Sequence, residues 1–246
     1  MRENTCKRIV LTGSRKKNRI MDSEQVIRFE EIALQEDAER LFRRMNSTDA
    51  RSSYQEKLKT RMTAVYEEIR GRIDPKAVFR FYDKEELALT GTRLTVHGVD
   101  LDCPAFSRLD PDQLLGLYVL FLTAGSVSME KDAVFDLLIA DMWGTAFADA
   151  ARISLFGILR QDGALSEAFG PGFQGMDLKT MHALNQLVDP SSIGLCIKDS
   201  GMLDPVKSCG LLIFRVTEDY VPQSGSCQQC VGSVKNCVQC NLIRRQ

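Results

Sequence analysis

Four cysteines near the C-terminus form the strongest chemical pattern in the sequence. They make two Cys-x-x-Cys pairs, Cys227 with Cys230 and Cys237 with Cys240, separated by a loop of six residues. Thiolates at this spacing give two chelating pairs, which a short flexible segment can fold around one four-coordinate metal. The pattern therefore predicts a metal centre at the C-terminal end of the chain.

Two kinds of metal centre fit these cysteines. Zinc ribbons use the same pairs, but usually with a longer intervening segment that forms its own small sheet. The six-residue loop favours an iron–sulfur cluster, with zinc as the alternative. The consequences differ, because a cluster would transfer electrons whereas zinc would only order the tail.

The remaining four cysteines are scattered in apolar surroundings. We expect Cys6, Cys103, Cys196 and Cys209 to be reduced structural thiols, because free cysteine commonly behaves as a small buried hydrophobe. The N-terminus lacks the long apolar region of an export signal. These features predict a cytoplasmic protein with a metal site rather than a disulfide framework.

Composition excludes several classes of partner. The chain has 246 residues, of which 44% are hydrophobic and 26% charged, and its formal net charge is -1. No global field would attract nucleic acid or an anionic membrane, and no apolar run approaches the length of a spanning helix. The basic stretch 15–19 contains no aromatic residues, which is typical of a solvated tail.

A glycine-rich segment is the second candidate for a binding site. Residues 169–176 contain Gly170, Gly172 and Gly175, which permit close backbone approach to a ligand or positive φ angles. Such loops also serve as plain connections. No strand pattern leads directly into the segment and no acidic residue follows at the distance expected of a dinucleotide site.

Motifs for self-contained catalysis are missing from the sequence. The two histidines, His97 and His182, lie in no nucleophile or metal motif and are expected to be structural or exposed. There is no nucleophile elbow, phosphate-binding loop or zinc-protease motif. The sequence does not predict hydrolysis or phosphoryl transfer.

Helical spacing predicts two N-terminal helices. Ser23 is a suitable N-cap for the first, which should end near Asn46, and the second should end at Gly71. The apolar positions are Ile27, Leu34, Ala38, Leu41 and Met45 in the first helix and Tyr54, Leu58, Met62, Val65 and Ile69 in the second.

Strand patterns begin after the second helix. We predict a strand over 77–82, a hairpin over 86–101 with its turn at 90–92, and a central strand over 114–124, where the run is continuously apolar. A long helix should follow, because apolar residues recur four apart from Val134 to Ala146 and the face continues to Phe156.

The last part of the domain should combine one helix with two strands. The predicted helix covers 178–187, and the strands cover 193–197 and 209–216. The fold class is therefore α+β, with N-terminal helices, a central antiparallel or mixed sheet and a long packed helix. We divide the chain into a basic tail at 1–22, a domain at 23–221, and a linker with the four-cysteine tail at 222–246.

The order of these elements and three short segments resemble the activation domain of cobalamin-dependent methionine synthase. The family shows an Arg-x-x-Pro-Gly-Tyr loop, an Ile-Gly strand and a Ser-x-x-Met-x-Pro segment in this order. The resemblance covers residues 25 to 216 and implies that fold. The matching segments here are Gly170-Pro171-Gly172-Phe173, Ile193-Gly194-Leu195 and the run from Ser200 to Ser208.

The resemblance also implies a ligand and a partner. In the family this domain binds S-adenosylmethionine and docks on a corrinoid module, so that inactive cob(II)alamin can be reduced and remethylated. The matching positions here are Phe169, Gly170, Pro171, Gly172 and Phe173 in the loop, with Asp149 and Asp162 as acidic residues near the site.

Two positions depart from the family pattern. Ala168 stands where the family has an arginine that grips the ligand's carboxylate, and Phe173 stands where the loop has a tyrosine. Losing such a charge-assisted pair weakens binding by roughly ten- to a hundredfold. S-adenosylmethionine would then be held weakly, or the ligand would be a different one.

The combined features predict an accessory protein for reductive reactivation of a cobalamin-dependent methyltransferase. Its partner would be the corrinoid-binding subunit, and a small electron-transfer protein is a further candidate partner for the cysteine cluster. The alternative is a non-catalytic docking module whose tail is ordered by zinc. A direct S-adenosylmethionine-dependent methyltransferase is a third class, which the resemblance does not favour because the family transfers that methyl group to cobalt.

Overall fold

The computed structural model describes residues 9–11, 23–45, 53–127, 129 and 134–221. Within these ranges, two helices follow the second strand, five strands come between these helices and the long third helix, and short 3-10 turns connect several of the elements. The elements are β1 Ile9–Leu11, β2 Gln25–Phe29, α1 Glu31–Met45, α2 Ser53–Ile69, β3 Ile73–Asp83, β4 Leu87–Thr90, β5 Arg93–Val96, β6 Val99–Asp102, β7 Leu114–Gly125, α3 Val134–Leu159, β8 Ala164–Phe169, α4 Met181–Leu187, β9 Cys196–Ile197, β10 Leu203–Asp204 and β11 Ser208–Val216.

A six-stranded antiparallel sheet forms the centre of the fold. Its strand order is β1-β2-β3-β7-β11-β8, and each neighbouring pair is antiparallel. Strand β7 lies inside the sheet and is buried along nearly its whole length. Side chains of a strand alternate between the two faces, so both faces of β7 must be covered. The predicted α+β class and the central position of residues 114–124 are confirmed.

Helices cover one face of the sheet. Helices α1, α2 and α3 form this layer, and its core is rich in aromatic side chains. The Phe42 ring lies 4.5 Å from that of Trp143, which in turn contacts Tyr66. At the edge of the layer, the guanidinium of Arg61 on α2 pairs with the buried carboxylate of Asp136 in the first turn of α3. The long predicted helix is confirmed and extends to Leu159.

The opposite face carries smaller elements. The three-stranded sheet of β4, β5 and β6, helix α4 and several 3-10 turns pack there around a second core. The rings of Phe106, Phe169 and Phe214 contact one another edge to face in that core, which is the preferred arrangement of aromatic pairs. Residue Phe169 thereby anchors the end of β8, the strand that precedes the glycine-rich segment.

The predicted start of the first helix is wrong. Residues 25–29 form strand β2, whose inward side chains Ile27 and Phe29 are buried, and the helix begins at Glu31. Ile27 lies seven residues before Leu34, a spacing that two helical turns also produce, so the strand residue matched the helical pattern by coincidence. The second helix is confirmed at Ser53–Ile69.

Two further elements differ from prediction. The predicted hairpin is a three-stranded meander, because the chain turns again at His97 and Gly98, both of which have positive φ. The predicted strand over 193–197 shrinks to Cys196–Ile197, because a 3-10 turn over Pro190–Ile193 and left-handed Gly194 precede it. Strand β1 lies within the segment that the sequence indicates as a basic tail.

Among the residues described, no helix has both the length and the apolar character needed to cross a lipid bilayer.

Candidate functional site

A strand leads directly into the glycine-rich segment, contrary to the sequence-based expectation. Strand β8 is an edge strand that pairs with β11 and ends at Phe169. The register shifts between Ile213 and Arg215, so β8 carries an extra residue there. The hydroxyl of Ser166 accepts the Phe214 N–H at 3.0 Å and so satisfies a buried donor at the irregularity. The bulge broke the alternation that would have revealed the strand.

The loop after β8 is tightly folded. The N–H of Phe173 donates to the carbonyl of Gly170, and the N–H of Gly172 donates to the carbonyl of Met176. A side chain at position 170 would place its Cβ 2.8 Å from the Gly210 carbonyl oxygen, so only glycine lets the loop lie this close to β11. Residue Phe173 projects outward and is 58% exposed.

Residue Gln174 ties the loop back to the strand. It is only 6% exposed and adopts a left-handed backbone with φ of 53°, which is uncommon for a residue other than glycine. Its side-chain Nε2 donates to the carbonyl of Ala168 at 3.2 Å. Within the described residues its Oε1 has no hydrogen-bond partner, so this buried acceptor is free to receive a donor.

The polar side of α3 lies beside the start of β11. The guanidinium of Arg152 donates from Nη2 to Asp149 Oδ1 at 3.1 Å and stacks on the Phe156 ring. The pKa of the Cys209 thiol is raised to about 12, chiefly by burial. The nearby charge of Arg152 lowers this pKa, whereas that of Asp149 raises it. Cys209 is followed on β11 by Gly210, the residue that Gly170 approaches.

The loop and Asp149 therefore lie at the same end of β11, the loop beside Gly210 and Asp149 near Cys209. Ala168 pairs with Ile213 and packs against the helical layer, as does Cys209. Arg152, which no sequence motif marks, supplies a cation here and has its side chain 31% exposed. Asp149 and Arg152 are three residues apart on a predicted helix, a spacing that places opposite charges side by side and could have indicated this ion pair.

Residue Asp162 lies at the opposite end of the strand pair. It follows the end of α3 and precedes β8, whereas the glycine-rich loop follows β8. Thirteen residues separate it from Asp149, which corresponds to about 20 Å along a helix. A small ligand cannot contact both carboxylates.

The predicted metal ligands Cys227, Cys230, Cys237 and Cys240 lie outside the described residues, as does Cys6. Of the described cysteines, Cys103 is buried and Cys209 partly buried as expected, but Cys196 is exposed on the short strand β9. No group of three or more potential metal-binding side chains occurs in the described part of the chain. His97 is exposed beside Glu86, and His182 is exposed on α4.

No protein-family model and no curated protein matches this chain. Its fold is similar to that in a crystal structure of the MetH reactivation domain bound to AdoHcy, with a TM-score of 0.57. The superposition covers 82% of this chain and 81% of that chain, at 9% sequence identity. At this identity the likeness establishes the fold, and the predicted activation-domain-like architecture is confirmed.

Thiol reactivity should separate the described cysteines. At pH 8 we expect iodoacetamide to modify Cys196 rapidly, because it is exposed. Cys209 should react far more slowly, since a pKa of about 12 leaves only about one thiolate in ten thousand at that pH. Burial also raises the pKa of Cys103, so it should resist modification too.

Peptide mass mapping measures the rate at each cysteine, with unfolded protein as the control. Equal rates for Cys196 and Cys209 in the folded protein would contradict the burial of Cys209.

Proposed function

We propose that this protein assists the reductive reactivation of a cobalamin-dependent methyltransferase by docking on its corrinoid-binding subunit. The observation that carries the proposal is the similarity of the fold, over 82% of the chain, to the MetH reactivation domain. The loop after β8 and the polar side of α3 also lie at the same end of β11, where a ligand could reach both. The task would be to allow cob(II)alamin to be reduced and remethylated.

The docking face would include the loop and its neighbours. Phe173 is 58% exposed, Met202 47% and Val206 62%. Positions 172 and 201, beside Phe173 and Met202, both approach Leu178, which brings these two side chains to one region. Exposed apolar side chains that cluster on a soluble protein mark interaction sites. We infer that a protein surface covers them in the complex.

The loop side fits an S-adenosyl ligand in part. The loop backbone is exposed at Gly172 and Gly175, and Gln174 offers a buried acceptor without a described partner. The residues proposed to hold the ligand are Phe169, Gly170, Pro171, Gly172 and Phe173 with Asp149, and Arg152 is the nearby cation that could pair with a carboxylate. Asp162 is too distant to join them. When bound, S-adenosylmethionine would supply the methyl group.

The four-cysteine tail is proposed to hold an iron–sulfur cluster, with zinc as the alternative. Support for the centre comes from the spacing of Cys227, Cys230, Cys237 and Cys240 alone. A cluster there would act as an electron relay, and a small electron-transfer protein would be its partner. Zinc would instead favour a non-catalytic docking module.

A charge on the docking face should weaken partner binding. Phe173→Asp places a carboxylate in a surface that becomes apolar and buried on association, so we expect affinity for a purified corrinoid-binding methyltransferase subunit to fall at least about tenfold. Ile32→Asp is the matched control, because Ile32 is 67% exposed on the helical layer. Analytical ultracentrifugation measures both. If the unmodified protein does not bind the subunit, or if both variants weaken binding equally, the proposal is wrong.

The ligand side makes a separate prediction. We expect S-adenosylhomocysteine to bind, and Arg152→Met to weaken it about tenfold by removing the charge-assisted contact while keeping an apolar stem beside Phe156. Arg160→Met, a change to an exposed arginine beyond the end of α3, should leave affinity unchanged. Calorimetry tests this, and no heat with the unmodified protein would remove the ligand from the proposal.

Metal analysis of the anaerobically purified full-length protein tests the tail. We expect iron and acid-labile sulfide, and their loss in a Cys237→Ser and Cys240→Ser double variant. Cys196→Ser, which changes an exposed cysteine on β9, should retain both. Stoichiometric zinc without iron would refute the electron relay and favour the docking module.

A further inference from the structure

A cavity lies at the end of the sheet opposite the glycine-rich loop. Its volume is about 490 Å³, and it opens between β8, β11, the start of β7 and the 3-10 turn after β3. Small-molecule sites commonly enclose about 300 to 1,000 Å³. The cavity is lined by charged groups of both signs, and none of the loop residues 169–173 contributes to it.

Residue Arg215 provides a positioned guanidinium on one wall. Its guanidinium carbon lies 4.5 Å from the centre of the Phe81 ring, and its Nη2 donates to the Leu115 carbonyl at 3.4 Å. The Phe81 ring can lie across β7 only because residue 116 is glycine, since a Cβ there would be 2.2 Å from Phe81 Cζ. The sheet therefore builds a platform that holds the cation in place.

A carboxylate faces the same cavity. The hydroxyl of Tyr118, whose side chain is 4% exposed, donates to Asp162 Oδ2 at 3.3 Å. Burial raises the pKa of Tyr118, so the hydroxyl stays protonated and can orient the carboxylate at neutral pH. Asp162 and Arg215 line one cavity, yet no ion pair between them is present in the described structure.

The rest of the lining restricts the ligand. Carboxylates outnumber cations, because Asp83, Glu85 and Glu218 join Asp162 while Lys84 alone joins Arg215. This excess disfavours phosphate and other purely anionic ligands. Leu115 and Ala164 contribute apolar surface between the charged groups. A ligand that uses every wall carries an ammonium, a carboxylate and an aliphatic group.

We propose that this cavity binds a free α-amino acid with an aliphatic side chain. The carboxylate of the ligand pairs with Arg215, its ammonium pairs with Asp162, and its side chain lies against Leu115 and Ala164. Planar guanidinium groups match carboxylates well because two N–H groups can donate in parallel. The site is separate from the docking face, and the inference does not depend on the proposed reactivation role.

Three matched ligands test the site. L-leucine contains all three groups, 4-methylpentanoate lacks the ammonium, and 3-methylbutylamine lacks the carboxylate. We expect the full-length protein to bind L-leucine with a millimolar or lower Kd, and each analogue to bind at least about tenfold more weakly because one charge pair is lost. Titration followed by NMR chemical-shift changes measures all three.

Two variants locate the binding. Asp162→Asn and Arg215→Met should each weaken L-leucine binding at least about tenfold. Asp112→Asn, at an exposed carboxylate outside the cavity, should leave it unchanged. Asp162 is itself exposed, so its variant keeps the test valid even if loss of the Arg215 platform impairs folding.

Several outcomes would overturn the assignment. They are no L-leucine binding at about 50 mM, equal affinity for 3-methylbutylamine, and full affinity in Asp162→Asn. Equal affinity for the amine would show a simple cation-binding surface. Because Phe173→Asp acts at the other end of the strand pair, failure of this site and failure of the docking proposal give separate results.

Discussion

The burial of β7 on both faces is the constraint on which the rest of the structure depends. This strand pairs with β3 on one side and β11 on the other, and its alternate side chains enter two separate cores. Neither face can remain open without exposing a row of large apolar side chains. Helix α3 covers one face, and the small sheet with α4 covers the other. Strands β11 and β8 continue the sheet beyond β7, between these two covering layers.

The sequence correctly predicts the elements whose hydrophobic pattern continues without interruption. The apolar run at 114–124 indicates a strand buried on both faces, and the recurring residues from Val134 to Phe156 indicate a single long helix, because both signals persist over many residues. Strand β8 is shorter and is interrupted by a bulge, and it includes Ser166 as a buried hydroxyl that serves the β11 backbone. Such a polar residue inside a strand removes the alternating pattern on which prediction relies.

The candidate site could be predicted only in part, because its geometry depends on the length and the packing of α3. A resemblance can mark Asp149 and Asp162 as acidic positions, but their distance depends on whether α3 continues without a break between them. It continues to Leu159 and a 3-10 turn follows, so Asp149 lies within the helix whereas Asp162 lies beyond its C-terminal end. The contribution of Arg152 depends on which side of α3 faces β11, which follows from packing rather than from the local sequence.

The two ends of the β8–β11 pair differ in how their charges are satisfied. At the loop end, the Arg152 guanidinium is already held by Asp149, Lys207 pairs with Asp141, and apolar side chains project from the loops. When another protein covers this surface, each of these charges keeps its partner, so neither is buried alone. The loop end is therefore suited to contact with a protein. At the other end, Arg215 and Asp162 face a cavity without pairing with each other. Opposite charges held apart in this way favour a small ligand that bridges them, so one pair of strands can support two kinds of recognition.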